Sequence, residues 1–291
     1  MTALTGEVRE EAVPAVEGGV PATMRPGALR RVVSGRRGVW IARISLLFVI
    51  LALWQWLATV GILRALIFST PLDVFGTLVR MLSGQQVDAV VVYPDIWTTL
   101  TEMVAGYIVG SFVGVLLGVT LARGRSFGQV IEPFILAWYG VPIITIAPLL
   151  VLIFGIGFAS KAATAFFATF FIVFFQTYSG VRSLKEEQFL LARLMGASSM
   201  DLLRRVLVPG SMPFIFVGLR QAVPVAMTGA IVGEFIASER GLGAFVLNAS
   251  ASFDPAAAFA GLVIVVAIVQ LTGRVVSTAE RAVIKWKPVR D

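Results

Sequence analysis

Six stretches of this chain are apolar for long enough to fill the hydrocarbon core of a bilayer, and that settles its class before any motif is read. A core about 30 Å thick needs about 20 apolar residues in a helix. Runs close to that length fall near 41–60, 102–122, 131–154, 161–180, 213–237 and 256–276. The expected architecture is therefore an all-α integral membrane protein with six transmembrane helices. Composition agrees, since 57% of the 291 residues are hydrophobic and 14% charged, against roughly 45 to 50% apolar and 25% charged in a soluble domain.

Six crossings leave both termini on one side, and the basic residues say which. Eighteen Lys and Arg fall in the first 38 residues, the Arg123/Arg125 turn, the segment after the fourth run and the C-terminal end. Only Arg64, Arg80, Lys161 and Arg240 lie in the opposite segments, with Arg43 and Arg220 inside the runs. Positive residues stay in the cytoplasm, so both ends are expected there. The same asymmetry accounts for the net charge of +7 without a nucleic-acid partner. Residues 1–38 read as a disordered, basic cytosolic tail. The first long apolar run begins only after Trp40, too late for a cleavable signal peptide. The expected division is this tail, a transmembrane domain over 39–285 containing a cytoplasmic loop at 181–213, and a short tail at 286–291.

The chain has neither His nor Cys, which removes imidazole and thiolate metal ligands, thiol nucleophiles, imidazole bases and disulfides. No metal site and no catalytic residue are expected. No phosphate-cradling G-x-x-x-x-G-K-[ST] motif occurs, because Gly is never followed by Lys. Any nucleotide chemistry belongs to another subunit.

Within this frame several patterns carry information. Thr70, Pro71 and Asp73 stand at cap, first and third positions of a short outer helix, with Leu72, Phe75, Leu78, Val79 and Leu82 on one stripe and Gly84 as its stop. Asp95 is placed to cap the helix of the second run. Gly106, Gly110, Gly114 and Gly118 recur every four residues there and strip one helix face, for close packing or for direct contact with a solute. Pro142 and Pro148 leave two carbonyls of the third run without amide donors, so two kinks are expected. Glu234 and Arg220 are the ionisable groups set deepest in the fifth run. Both should face protein or water, with Gln221, Thr228, Gln176, Thr177 and Tyr178 as neighbouring polar positions. For Glu234 a hydrogen-bonding anchor and a role in passage or gating both fit.

The most informative segment is 181–213. After Lys185, Glu186 and Glu187 comes FLLARLMG, then Ser198 with Asp201 three residues on, which reads as a capping box opening a second short helix. Leu202, Leu203, Val206 and Leu207 fall on one stripe of that helix, Asp201, Arg204 and Arg205 on another, and Pro209 is expected to stop it. Two short helices bent at Gly196 would form either a membrane-surface element or a knob for a groove on another protein.

This segment resembles the signature loop of permease subunits of binding-protein-dependent ABC importers, in which Glu-Ala-Ala, three residues, Gly, nine residues and Ile-x-Leu-Pro follow in order. Ala192 matches the second Ala, Gly196 the Gly, Val206 and Val208 the aliphatic positions and Pro209 the Pro; Leu190 and Leu191 replace the Glu and the first Ala. Supporting stretches are Pro148 to Gly157, Gly218-Leu219-Arg220, Glu234 and Gly241-Leu242-Gly243, and the likeness extends over about 65–285, nearest the nitrate, sulfonate and taurine branch.

The resemblance implies a type I importer fold and a multi-pass place in a bacterial inner (cell) membrane. It implies a permease pathway formed with a second copy, an extracytoplasmic substrate-binding protein, and two cytosolic ABC ATPases that hold the ATP and Mg. No cofactor is expected on this chain itself. Ala192, Gly196, Ala197, Ser198, Asp201, Leu202, Arg204, Arg205, Val206 and Pro209 become the expected ATPase-coupling residues. Gln176, Tyr178, Arg220, Gln221, Thr228 and Glu234 are the pathway candidates. The rival class is an ion-coupled secondary transporter or channel, which ordinarily uses several intramembrane acids where this chain offers essentially Glu234.

Overall fold

In the computed structural model the described residues, 36–61, 68–84 and 92–284, are helical wherever they are regular. Most of the expected tail and the segment 286–291 lie outside them. The chain divides into two units, residues 1–53 and 54–291. The first is represented by helix α1 (Arg36–Thr59) as far as Leu53. Its apolar side chains, among them Ile44, Phe48 and Leu53, are exposed on all sides, as expected of a helix that meets lipid or another protein. Arg43 lies over the Trp40 ring, 5.5 Å from its centroid.

The second unit is built around three long helices, α3 (Val92–Arg123), α6 (Phe158–Arg182) and α9 (Val208–Ala237). The glycine stripe dictates how α3 meets α6. A Cβ on Gly106 would stand 2.5 Å from the Ala162 carbonyl oxygen and from Ala165 Cβ; on Gly110, 2.8 Å from the Phe166 carbonyl; on Gly118, 2.8 Å from Thr177 Cβ. Nothing larger than hydrogen fits, so the stripe is a backbone-to-backbone seam and the helices gain dispersion contacts that lipid cannot supply. The other side of α6 receives α9 in the same way, with Gly229 against Ala165 and Gly233 against Lys161.

Five helices are long and apolar enough to cross a membrane. The sixth crossing is divided into α4 (Arg125–Tyr139) and α5 (Ile143–Phe154), bent by 93° at Gly140 to Pro142. Two kinks were expected here, and one break is found. Pro142 caps α5 in an extended conformation (ψ 130°), so the chain leaves the helix at that proline, whereas α5 continues through Pro148. Around this frame stand α2 (Pro71–Leu82), α7 (Glu186–Leu194), the single turn α8 (Ser199–Asp201), α10 (Leu242–Ala251) and α11 (Pro255–Val283).

Helix α2 has its expected capping box at Thr70 and Asp73 with Pro71 in the first turn. Its buried residues are Val74, Thr77 and Met81, and Val74 and Met81 share a core with Leu242, Ala260 and Ile264. Leu72, Phe75, Val79 and Leu82 face outward. The apolar stripe thus lies on the side away from the bundle, where a membrane interface rather than a protein core would cover it.

Candidate functional site

The cytosolic elbow begins where α7 ends in a Schellman turn. The Gly196 amide donates to the Arg193 carbonyl and the Ala197 amide to the Ala192 carbonyl. Gly196 has φ +84°, a left-handed conformation that glycine adopts without penalty. Two residues later Ser198 and Asp201 close a complete capping box: Ser198 Oγ accepts the Asp201 amide at 3.2 Å and Asp201 Oδ2 accepts the Ser198 amide at 3.2 Å.

Helix then runs unbroken from Ser199 to Ala237, so Pro209 does not end it as expected. The reason is a π turn over Leu202–Leu207, in which the Val208 amide reaches the Leu203 carbonyl five residues back. The widened turn lies immediately before the proline and accommodates its ring and missing donor.

The elbow has a rooted side and a bare side. Leu202 and Leu207 are buried, and Leu207 joins Ala122, Phe174, Tyr178 and Val181 in a core with Leu203 and Phe189 packed against it. Leu202 is therefore part of the root rather than the presented surface. Ala192, Ala197, Val206 and Pro209 are half-buried, and Arg204 and Arg205 are exposed, with Arg205 Nε 3.4 Å from Asp201 Oδ1. On the bare side Leu190, Leu191, Leu194, Met195 and Met200 project, Leu194 and Met195 about four-fifths exposed (78% and 81%). Sequence reasoning treated Leu190 and Leu191 only as departures from a pattern. Their clustering with Met195 in a segment flanked by charges was the available signal.

A second feature is the exposed face of α9. Phe214, Gln221, Pro224, Thr228 and Phe235 recur there at helical spacing. Gln176 Nε2 donates to Gln221 Oε1 at 2.8 Å and the Thr228 hydroxyl to the Pro224 carbonyl at 3.0 Å. Arg220, partly exposed, pairs with Glu280 of α11 at 3.2 Å. Tyr178 stands elsewhere. It is buried, donating its hydroxyl hydrogen to Glu132 at 2.9 Å and accepting from Arg182 at 2.6 Å, which fastens α4 to α6.

Glu234 belongs to a third feature, a polar cluster enclosed at the outer end. Its Oε1 accepts from the Thr99 hydroxyl at 2.6 Å and its Oε2 from the Gly243 amide at 2.5 Å. The Gly241 amide donates to Asp95 and the Leu242 amide to Thr99. Three first-turn amides of α10, which lacks a side-chain cap of its own, are thus satisfied by α3 and α9. This explains the glycines beside Glu234: a Cβ at Gly241 would meet its carboxyl carbon at 2.3 Å and one at Gly243 its Oε2 at 2.7 Å. Lys161 completes the cluster, 3.3 Å from Glu102 and donating to Ser238 at 2.6 Å.

Glu102, Lys161 and Thr99 were not singled out in the sequence, and Asp95 was expected to cap its own helix. Helix α3 starts earlier, at Val92, which places Asp95 inside it and frees its carboxylate for α10. Glu102 and Lys161 at the margins of apolar runs were the signal. Acid and base so close to hydrocarbon are costly unless they meet. No group of three or more candidate ligands able to hold a metal occurs among the described residues.

Comparison with known proteins agrees with this architecture. Residues 99–285 match the family model described as binding-protein-dependent transport system inner membrane component. The chain is 26% identical over 261 residues to an aliphatic sulfonates transport permease protein of Bacillus subtilis, covering 89% of this chain and 92% of that one. It is 32% identical over 242 residues to a riboflavin transport system permease protein of Chloroflexus aurantiacus, covering 83% and 88%. Its fold is similar to a chain of the inward-facing methionine ABC transporter MetNI, with TM-score 0.57, 18% identity and coverage of 64% and 93%. With the family model covering most of the bundle, the chain belongs to the binding-protein-dependent transport system inner membrane components and is a permease of an ABC importer, with ATP hydrolysis on a separate subunit.

Proposed function

We propose that two copies of this chain form the substrate pathway of an ATP-driven importer, and that the elbow at 181–213 of each copy docks in a groove on one of two cytosolic ATPases, which bind ATP and Mg. The observation that carries this reading is the pairing of a bare apolar tip (Leu190, Leu191, Leu194, Met195, Met200) with a root buried among the cytosolic ends of α3 and α6. A flexible linker would not transmit force, but capped helices continuous with a transmembrane helix do. Closure of the ATPases draws the elbows together and opens the pathway outward to a loaded binding protein; hydrolysis resets it inward.

The exposed face of α9 supports the second copy. Gln221 and Thr228 carry polar groups at membrane depth, where lipid satisfies none of them, so water in a pathway or a facing protein surface is required. These two residues with Gln176 and Arg220 are the pathway-lining positions. The substrate class proposed is a small anion or organic sulfonate such as nitrate, taurine or an alkanesulfonate, supported by the name of the sulfonate relative; the riboflavin relative marks the other substrate to test.

The test is Gly196→Leu in the full transporter. A side chain forced into the left-handed position deforms the elbow, so co-purification with the ATPase, or the coupling of its activity to uptake, is lost while membrane insertion persists. Unchanged coupled uptake would reject the docking role. In liposomes the permease without its ATPase should move no alkanesulfonate, and ion-driven uptake by the chain alone would favour a secondary transporter.

A further inference from the structure

The outer cluster holds more acid than base. Around it α3 presents Asp95, Thr99 and Glu102, α6 presents Lys161, α9 presents Glu234, and the following turn carries Ser238, Glu239 and Arg240. Asp95 is bonded to the Gly241 amide, with the Arg240 charge acting on it. Both oxygens of Glu234 accept hydrogen bonds, from Thr99 and Gly243. Lys161 is the one cation paired with either glutamate among the described residues, through Glu102 Oε1 at 3.3 Å.

Glu102 itself is 1% exposed, and its Oε2 has no donor among the hydrogen bonds of the described residues. The Glu102 and Glu234 carboxyl groups are nevertheless close enough to share a hydrogen bond. Two carboxylates cannot bond to each other, because an ionised carboxylate only accepts. Facing one another in a water-poor site, they would also repel strongly.

We propose that one proton bridges Glu102 and Glu234, making the outer cluster a buried proton-binding site. The bridge supplies the donor that Glu102 Oε2 lacks and leaves the pair with a single negative charge, balanced by Lys161. A bound proton also holds the end of α3 to the end of α9, and with them the first turn of α10. It exchanges with solvent only when that end of the bundle opens. The inference is independent of the ATPase and substrate readings above.

Infrared spectroscopy of the permease, assembled with its ATPase in lipid nanodiscs at neutral pH, tests it. The native protein should show a carbonyl-stretch band of an un-ionised carboxylic acid that exchanges slowly in deuterium oxide. Either Glu102→Gln or Glu234→Gln should remove that band, because the remaining glutamate ionises once its partner is neutral. Glu102→Gln should also assemble normally, since its amide can donate to Glu234 as the proton does. If Glu234→Gln fails to assemble, Glu102→Gln alone reads the band. Absence of the band from the native protein, or its persistence in Glu102→Gln, would overturn the proposal.

Discussion

The two ends of the bundle are held by opposite means. The cytosolic elbow is fixed by contacts between near neighbours in sequence, namely the Schellman turn at Gly196, the Ser198 and Asp201 box and the pair between Asp201 and Arg205. It leaves its apolar tip uncovered. The outer cluster is fixed by bonds between residues far apart, Thr99 to Glu234, Asp95 to Gly241 and Lys161 to Ser238, and it leaves almost nothing exposed. A local device folds with its own segment and can protrude, as a docking element must. A long-range polar device exists only when four segments have come together, so it reports whether the outer end is closed.

Substitutions should separate the two ends by their cost. Lys161→Met removes the cation from beside two buried glutamates, and breaking such a pair costs about 3 to 5 kcal/mol; the expected result is a large fall in thermal stability with ATPase binding retained in whatever fraction assembles. Equal stability of Lys161→Met and the native protein would end the view that the outer cluster is under tension. Gly243→Ala places a methyl group 2.7 Å from Glu234 Oε2, and overpacking of this kind costs about 1 to 3 kcal/mol. Its signature should be local, a faster amide exchange at the first turn of α10.

At the elbow, Ser198→Ala removes the cap and should cost about 0.5 to 2 kcal/mol, seen as increased proteolysis near Gly196 more than as a lower melting temperature. Arg205→Ala breaks an exposed pair and should shift stability by no more than about 1 kcal/mol. A larger effect in assembled transporter than in free permease would sharpen the picture, because it would place Arg205 against the ATPase.

What was legible follows the same division. The capping box at Ser198, the bend at Gly196 and the outer helix at Thr70 were readable because caps and left-handed glycines act within a few residues. The stripe from Gly106 to Gly118 announced close packing, but the helix it meets was not deducible, since small residues say how near a partner comes and not which partner comes. Pro209 misled because the proline rule assumes an α-helical ladder, and the π turn before it changes the ladder. Pro142 and Pro148 look alike in sequence, yet one ends a helix and the other lies within one.

For Glu234 the sequence offered a buried acid and two nearby glycines; the reason for the glycines appeared only when the carboxylate was found against their backbone.

By itself the sequence determined that this chain is a membrane bundle with a signature loop between its fourth and fifth crossings. Length, hydropathy and local capping are properties a segment carries wherever it lies. Only the tertiary structure decided that Asp95, Thr99, Glu102, Lys161 and Glu234 form one site, because a buried charge is tolerated solely where distant helices supply its partners.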